Sequence, residues 1–250
     1  MEVLRDIAAL RELKGPLHLA IGVFDGLHLG HQAVIAEARR SAAETGGTVV
    51  VVTFDPHPIE ILSPGDSPRL LTAPEHKLLL LQRILGIQNV LVIAFDRAFA
   101  EQSGESFVTS LVEATSPGGI RRICVGRDWQ FGKGRSGNVA LLETLGESVG
   151  FEVSGVETVE VGGMRVSSTR IREAVGAGDF SVAEALLGRA YSVYGTVIKG
   201  RQLGRTIGFP TANLTVHQEQ LPPTGVYAVR ATGSGDSWDG VANLGYRPTV

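Results

Sequence analysis

A single cysteine, Cys124, stands in a chain of 250 residues, which excludes an intrachain disulfide framework and a cysteine-rich zinc site. Long hydrophobic runs are also missing. Runs such as VVVV at 49–52, LLLL at 78–81 and VLVIAF at 90–95 fall far short of the roughly 18 residues that a membrane-crossing helix needs. There is little excess of either charge: 23 Lys and Arg face 26 Asp and Glu, a formal net charge of −3. That balance gives no general electrostatic reason to bind nucleic acid or an anionic membrane. The N-terminus, MEVLRDIAALRELKGP, mixes acids with bases and lacks a signal-peptide core. With 43% hydrophobic and 20% charged residues, the chain has enough apolar surface to fold. The expectation is a soluble, cytoplasmic protein whose partners are small molecules, with neither nucleic acid nor membrane among them. Its oligomeric state is left open.

Glycine is what the chain has in excess: 32 of 250 residues, about 13% against a usual 7% or so. Without a collagen-like period, these glycines belong in turns and where backbone closes on a ligand. Up to about residue 160, short apolar runs at 17–24, 48–54, 89–95 and 121–125 are rich in Val and Ile. Runs without polar alternation suit strands buried on both faces of a parallel sheet. Helical patterns at 31–45, 75–85, 105–114 and 139–149 lie between and after them, and two shorter helices are expected at 170–177 and 182–187. The alternation predicts an α/β, doubly wound parallel-sheet domain over residues 1–188, with ligands beyond the carboxyl ends of the strands. From 189 to 250 the pattern turns strand-like, predicting a small all-β barrel. At about 60 residues such a domain is marginal, and this reading takes it as cut short at its C-terminus.

The densest signal is GVFDGLHLGHQ at 22–32, directly after the first strand. Gly22, Gly26 and Gly30 let the main chain turn tightly. His28 and His31 lie three apart where a helix begins, and a helix start offers free N–H groups and a positive dipole end for phosphate. Two imidazoles there can stabilise charge that builds in a transition state; the plainer alternative is a surface loop with two solvated histidines. A zinc site is disfavoured, because no third ligand is near and HExxH is missing. In RVSSTRIR at 165–172, Ser168 and Thr169 at a helix start with Arg165 and Arg172 suit a triphosphate, or else form an ordinary capped helix. In VGRDWQFGKGRSG at 125–137, Asp128 leaves the end of a strand, three glycines allow a mobile loop, and Trp129 and Phe131 either flank a ligand or anchor the loop. TFDPHP at 53–58 supplies a proline-stiffened loop or a plain strand-ending turn. Thr211 and Asn213, two apart on a strand, are oxygen donors suited to a hard cation, or belong to a β-bulge. Cys124 reads as a small core residue.

HLGH at 28–31 resembles the HxGH signature of the nucleotidyltransferase superfamily. With TFDPHP, VGRDWQFGKGRSG, RVSSTRIR, GRTIGFPTANL (204–214), GVYAV (225–229) and GVANLGYRPT (240–249) in that order, nearly the whole chain resembles the bacterial bifunctional riboflavin kinase/FMN adenylyltransferase family, the FAD synthetases. The resemblance implies adenylyl transfer from ATP to FMN, giving FAD and pyrophosphate, by in-line attack of the FMN phosphate without a covalent enzyme intermediate. It also implies phosphorylation of riboflavin to FMN by the second domain. His28 and His31 are then catalytic. Gly22, Phe24, Asp25, Gly26, Gly30, Asp128, Arg165, Ser168, Thr169 and Arg172 hold ATP, Asp128 standing where many members carry asparagine. Pro56, His57, Pro58 and Phe131 face the flavin. Gly204, Arg205, Thr211 and Asn213 bind ATP and Mg²⁺ in the kinase domain, with Thr211 and Asn213 as the metal ligands. Family kinases use a glutamate base on a later strand; this reading places the end of the chain before it, and Glu219 does not match it, so riboflavin phosphorylation is expected to be absent or very weak. Two other readings stay open: another HxGH-type nucleotidyltransferase, and a flavin-binding module without catalysis.

Overall fold

The computed structural model describes residues 1–65, 67–115, 119–200, 211–217, 220–233 and 235–245. Its centre is a six-stranded sheet made of β1 (Glu2–Leu4), β2 (Leu17–Ile21), β3 (Thr48–Asp55), β4 (Asn89–Ala94), β5 (Ile120–Gly126) and β6 (Glu152–Val156). The spatial order is β1-β4-β3-β2-β5-β6, and every pairing is parallel. Side chains alternate across the sheet, as strand geometry requires. Leu17, Leu19 and Ile21 of β2 join Val50, Val52, Leu91, Ile93, Ile123 and Val125 in one core. Ala20, Val51, Val90, Val92 and Cys124 point into the other. Each face therefore needs a cover of its own, and the helices divide between them.

The first face is covered by a 3-10 helix at Ile7–Glu12 and, numbering the α-helices in chain order, by α5 (Gly104–Glu113) and α6 (Val139–Val149), through Leu10, Phe107, Leu111 and Leu142. The second is covered by α1 (Leu29–Thr45) and α3 (Pro74–Leu85), through Val34, Ile35, Ala38, Leu80 and Leu81. Two short helices, α2 (Pro58–Leu62) and α4 (Arg97–Ala100), follow strands β3 and β4. Burying one such Leu or Ile side chain contributes about 1.5–3 kcal/mol. The expected doubly wound α/β architecture is the one observed. Cys124 is a buried core residue, and burial pushes its thiol up to about 12.

Past the sheet, a short hairpin of β7 (Glu160–Val161) and β8 (Met164–Arg165) leads into α7 (Ser168–Ala177) and α8 (Phe180–Leu187). These helices build a third cluster, with Leu71, Val166, Ile171, Val175, Leu186 and Leu187 at its centre. Asp179 caps α8, its side chain accepting the Val182 N–H, and Gly188 in the left-handed conformation closes it.

The C-terminal part is built of strands alone among the described residues, as expected. Among the described residues it forms two separate antiparallel pairs, β9 (Gly195–Ile198) with β10 (Asn213–Val216), and β11 (Gly225–Gly233) with β12 (Asp236–Leu244), not a closed barrel. Val197, Leu214, Val226, Trp238 and Val241 on these strands are each more than half exposed. Among the described residues no helix is long and apolar enough to cross a membrane.

Candidate functional site

The sheet order reverses direction between β2 and β5: the chain goes from β2 to β3 on one side and later returns to place β5 on the other. In an open α/β sheet this is where ligands bind. The segments leaving β2, β3 and β5, together with the start of α7, carry the signature residues.

His28 is the N-cap of α1. Its Nδ1 accepts the backbone N–H of His31 at 3.2 Å. An acceptor nitrogen carries no proton, so a neutral His28 holds its proton on Nε2, where it can be donated. The two imidazoles are stacked, with centroids 3.6 Å apart and planes 15° from parallel. Gly30 explains the middle of the motif: a Cβ there would lie 3.2–3.3 Å from the His28 ring, so a side chain would crowd it. Burial pushes His28 down to about 4, opposed by Asp25 and assisted by Arg165 and Arg172. Burial, with the neighbouring His28 and Lys77, holds His31 well below its usual value. Both rings are therefore neutral near pH 7. The Nδ1 of His31 is buried and has no hydrogen-bond partner among the described residues.

A buried histidine of low pKa carries a linkage consequence. The native state resists the proton that the unfolded chain accepts, so stability is full above about 6.5 and falls as the pH drops toward 4. For His28 the loss amounts to about 3 kcal/mol once the pH is below both values. Urea unfolding at pH 7 and pH 4.5 is expected to show most of this loss, and His28→Asn to reduce it; an equally steep loss in that variant would show that other groups cause it.

Asp25 and Arg172 have a role that the motifs did not disclose. Asp25 is 3% exposed. Its carboxylate accepts the Leu71 N–H at 2.9 and 3.1 Å and the Thr72 N–H at 2.9 Å, and it pairs with Arg172. Arg172 also donates to the Arg69 carbonyl at 2.7 Å, and the Ser168 hydroxyl donates to the Asp25 carbonyl at 2.9 Å. These three residues, expected on ATP, hold one another and clamp the turn after β2 to the 69–72 segment and to α7. The cap of α7 is Ser167, whose Oγ accepts the Arg170 N–H, one residue before the expected pair. Thr169 is exposed in its first turn.

Other expected residues fall in different environments. Arg165 and Asp128 pair with each other on the surface, both more than half exposed. Gly22, Phe24 and Gly26 lie in the turn itself. Phe24 is buried edge-on to His31 at 5.3 Å, a core position and not a ligand-facing one. His57 caps α2 in a reciprocal box with Glu60, between Pro56 and Pro58, and burial drives it down to about 4. Phe131 is a correction. It is 8% exposed and packs in the core beside Phe107 and under Trp129, whose ring stacks on it at 4.6 Å, so it presents no open face to a flavin. Nor is its loop free: Phe131 and Gly137 exchange hydrogen bonds of 3.0 and 2.8 Å, and a Cβ at Gly132 would meet the Gly104 nitrogen at 2.5 Å.

Thr211 is exposed just before β10, and Asn213 opens that strand. A hydroxyl and an amide carbonyl are hard oxygen donors, a donor set that suits Mg²⁺. Gly204 and Arg205 lie outside the described residues.

Sequence reasoning passed over Lys77. It sits in α3 and is 7% exposed, and its Nζ donates to the Val23 carbonyl at 2.8 Å and to Thr53 Oγ1 at 3.2 Å. Burial lowers it to about 8. Next to LLLL at 78–81 a lysine reads as the polar edge of a helix, and no local signal marks it.

Comparison with known proteins agrees with this geometry. A family model described as FAD synthetase matches residues 11–170, and one described as riboflavin kinase matches 187–250. The chain is 39% identical to a bifunctional riboflavin kinase/FMN adenylyltransferase of Pseudomonas fluorescens, over 100% of this chain and 79% of that protein. Its counterpart in Escherichia coli K12 is also 39% identical, over 93% and 74%, and that of Bacillus subtilis is 37% identical, over 96% and 75%. A crystal structure described as a macrolide-efflux protein from Streptococcus pneumoniae superposes with a TM-score of 0.81 and 28% identity, over 99% of this chain and 80% of that one. Both family models are met, and the chain spans roughly three quarters of the length of each of these relatives. Sequence, strand order and the arrangement around His28 agree, and the chain belongs to the bifunctional riboflavin kinase/FMN adenylyltransferase family.

Proposed function

We infer that this chain makes FAD, transferring the adenylyl group of ATP to FMN at the carboxyl end of the parallel sheet and releasing pyrophosphate. Its second activity is the ATP-dependent phosphorylation of riboflavin to FMN, assigned to residues 189–250, with residues 1–188 performing the adenylyl transfer. The observation that carries the first assignment is the pair of neutral, stacked imidazoles at the start of α1, with the His28 proton on Nε2.

The reaction asks little covalent work of the protein. A phosphate oxygen of FMN attacks the α-phosphorus in line, and the bond from that phosphorus to the bridging oxygen of pyrophosphate breaks. Rate then comes from position and from charge stabilisation. The N-terminal end of α1 offers a positive dipole to the phosphates. His28 donates from Nε2 to an oxygen whose charge grows in the transition state, and His31 lies against it as a second donor. Because both rings are neutral, neither loses its function through a shift of a pH unit near 7. Arg165 and Asp128 form an exposed pair, of the kind worth at most about 1 kcal/mol, so a triphosphate competes readily for the guanidinium. Thr169, exposed in the first turn of α7, offers its hydroxyl beside it. Asp25, Ser168 and Arg172 keep the turn in place from behind. The flavin lies toward Pro56, His57 and Pro58. In the kinase half, Thr211 and Asn213 would hold Mg²⁺, which when bound offsets the negative charge of the phosphates.

The test is incubation of the purified chain with FMN and ATP-Mg²⁺, and separately with riboflavin and ATP-Mg²⁺, followed by separation of the flavins and assay of pyrophosphate. FAD and pyrophosphate in equal amounts support the first assignment. Tight FMN binding without pyrophosphate would leave a flavin-binding module in its place.

A further inference from the structure

We propose that Lys77 is a positioning residue for adenylyl transfer: its ammonium holds the carbonyl of Val23 and, through it, the turn that presents His28 and Asp25. The proposal rests on the adenylyl-transfer reading and adds to it a residue outside every motif of the sequence.

The argument begins with where the three groups meet. Lys77 Nζ donates to the Val23 carbonyl at 2.8 Å and to Thr53 Oγ1 at 3.2 Å, while the Thr53 hydroxyl donates to the same carbonyl at 2.9 Å. One triangle thus joins α3, the carboxyl end of β3 and the residue just past β2. Val23 is followed by Phe24 at φ 55, then Asp25 and Gly26 at φ 81, and Leu27 at φ 46. A turn with three left-handed residues in four has no regular hydrogen-bond ladder of its own and must be held from outside. Asp25 and Thr72 hold its middle and His28 caps its exit. Lys77 holds its entry.

Burial gives the second strand of the argument. The ammonium of a residue only 7% exposed is costly unless paired, and among the described residues no carboxylate lies within ion-pair distance of Lys77. The charged and titratable groups around it come from every neighbouring element. Asp25 lies in the turn, Asp55 at the end of β3 and Glu60 in α2, all favouring its charge. His31 on α1 and His57 before α2 are held neutral in part by it. A fixed cation directly under a phosphate-binding turn is left for the substrate's own negative charge to balance.

Lys77→Met keeps the length of the stem and removes the ammonium. Turnover of FAD formation should fall at least about tenfold, with the KM for FMN and for ATP changed less than about threefold, as expected when a group is misplaced and not lost. Lys77→Arg, which restores charge and donors, should recover most of the rate. In Lys77→Met the titration of His57, followed by NMR, should move upward from about 4, since a nearby positive charge has gone; a lysine that merely fills space would leave it still. If Lys77→Met does not fold, Thr53→Val removes the shared hydroxyl at constant shape and should lower turnover with the unfolding midpoint nearly unchanged. Wild-type turnover within threefold in a folded Lys77→Met or in Thr53→Val, or an unmoved His57, overturns the proposal. A wild-type chain that makes no FAD at all would instead remove the reading beneath it.

Discussion

Replacing His28 with alanine lowers the turnover of FAD formation by about 10²–10³-fold and leaves the KM for FMN within a few-fold, the signature of a donor whose bond strengthens in the transition state. The structure supplies the reason at the level of single atoms. Nδ1 of His28 is occupied by the His31 N–H, so the ring has one proton to give and one direction in which to give it. Alanine also removes the cap of α1, costing about 1 kcal/mol, which unfolding experiments read separately. Asparagine separates the two effects, because it is a good helix cap but a different donor. His28→Asn should regain the stability and stay slow. A His28→Ala enzyme working at near-normal speed would end the assignment of this residue.

The largest effect on stability belongs to Asp25. Asp25→Ala should destabilise the protein by about 3–5 kcal/mol, because it strands a nearly buried Arg172 together with the amides of Leu71 and Thr72. Arg172→Met should cost less, since the carboxylate keeps its amide donors when the guanidinium leaves. In the double variant the penalty of the orphaned charge disappears, so the two losses should sum to more than the pair together. Denaturant unfolding of the three variants measures this. If Arg172→Met proves as damaging as Asp25→Ala, the carboxylate is not the centre of the clamp. Since the clamp fixes the turn that carries His28, surviving Asp25→Ala protein should also be slow.

The sheet was legible because Val- and Ile-rich runs buried on both faces announce themselves without help from the rest of the chain. The strand after α6 was not: EVSGV at Glu152–Val156 carries serine and glycine, is half-buried throughout and lies at an edge. The three-residue strand Glu2–Leu4 is too short to show a pattern. At the site, residues read from local chemistry alone, such as His28 and its glycine, stand where the motif puts them. Those whose partners lie far along the chain do not follow that rule. Asp25 and Arg172 are 147 positions apart, and each looks like a ligand-binding residue until the other is found beside it. Phe131 follows the same logic: an aromatic in a glycine-rich loop suggests a ligand face, and only Phe107 and Trp129 reveal it as packing.

Hydrogen bonds tie the residues on either side of position 188 to α1 and the turn before it. Gln32 of α1 donates to the Leu187 carbonyl at 2.8 Å and to the Leu27 carbonyl at 2.9 Å, and Arg189 donates to the Gly26 carbonyl at 2.8 Å. A cut after residue 188 would leave Leu187 with the adenylyltransferase and take away Arg189, which holds its glycine turn. A shortened adenylyltransferase ending at 188 would lose a guanidinium from beneath its own signature loop, whereas one extended by a few residues would keep it. Arg189, which the sequence pattern places after that boundary, is tied by its side chain to the glycine turn before α1.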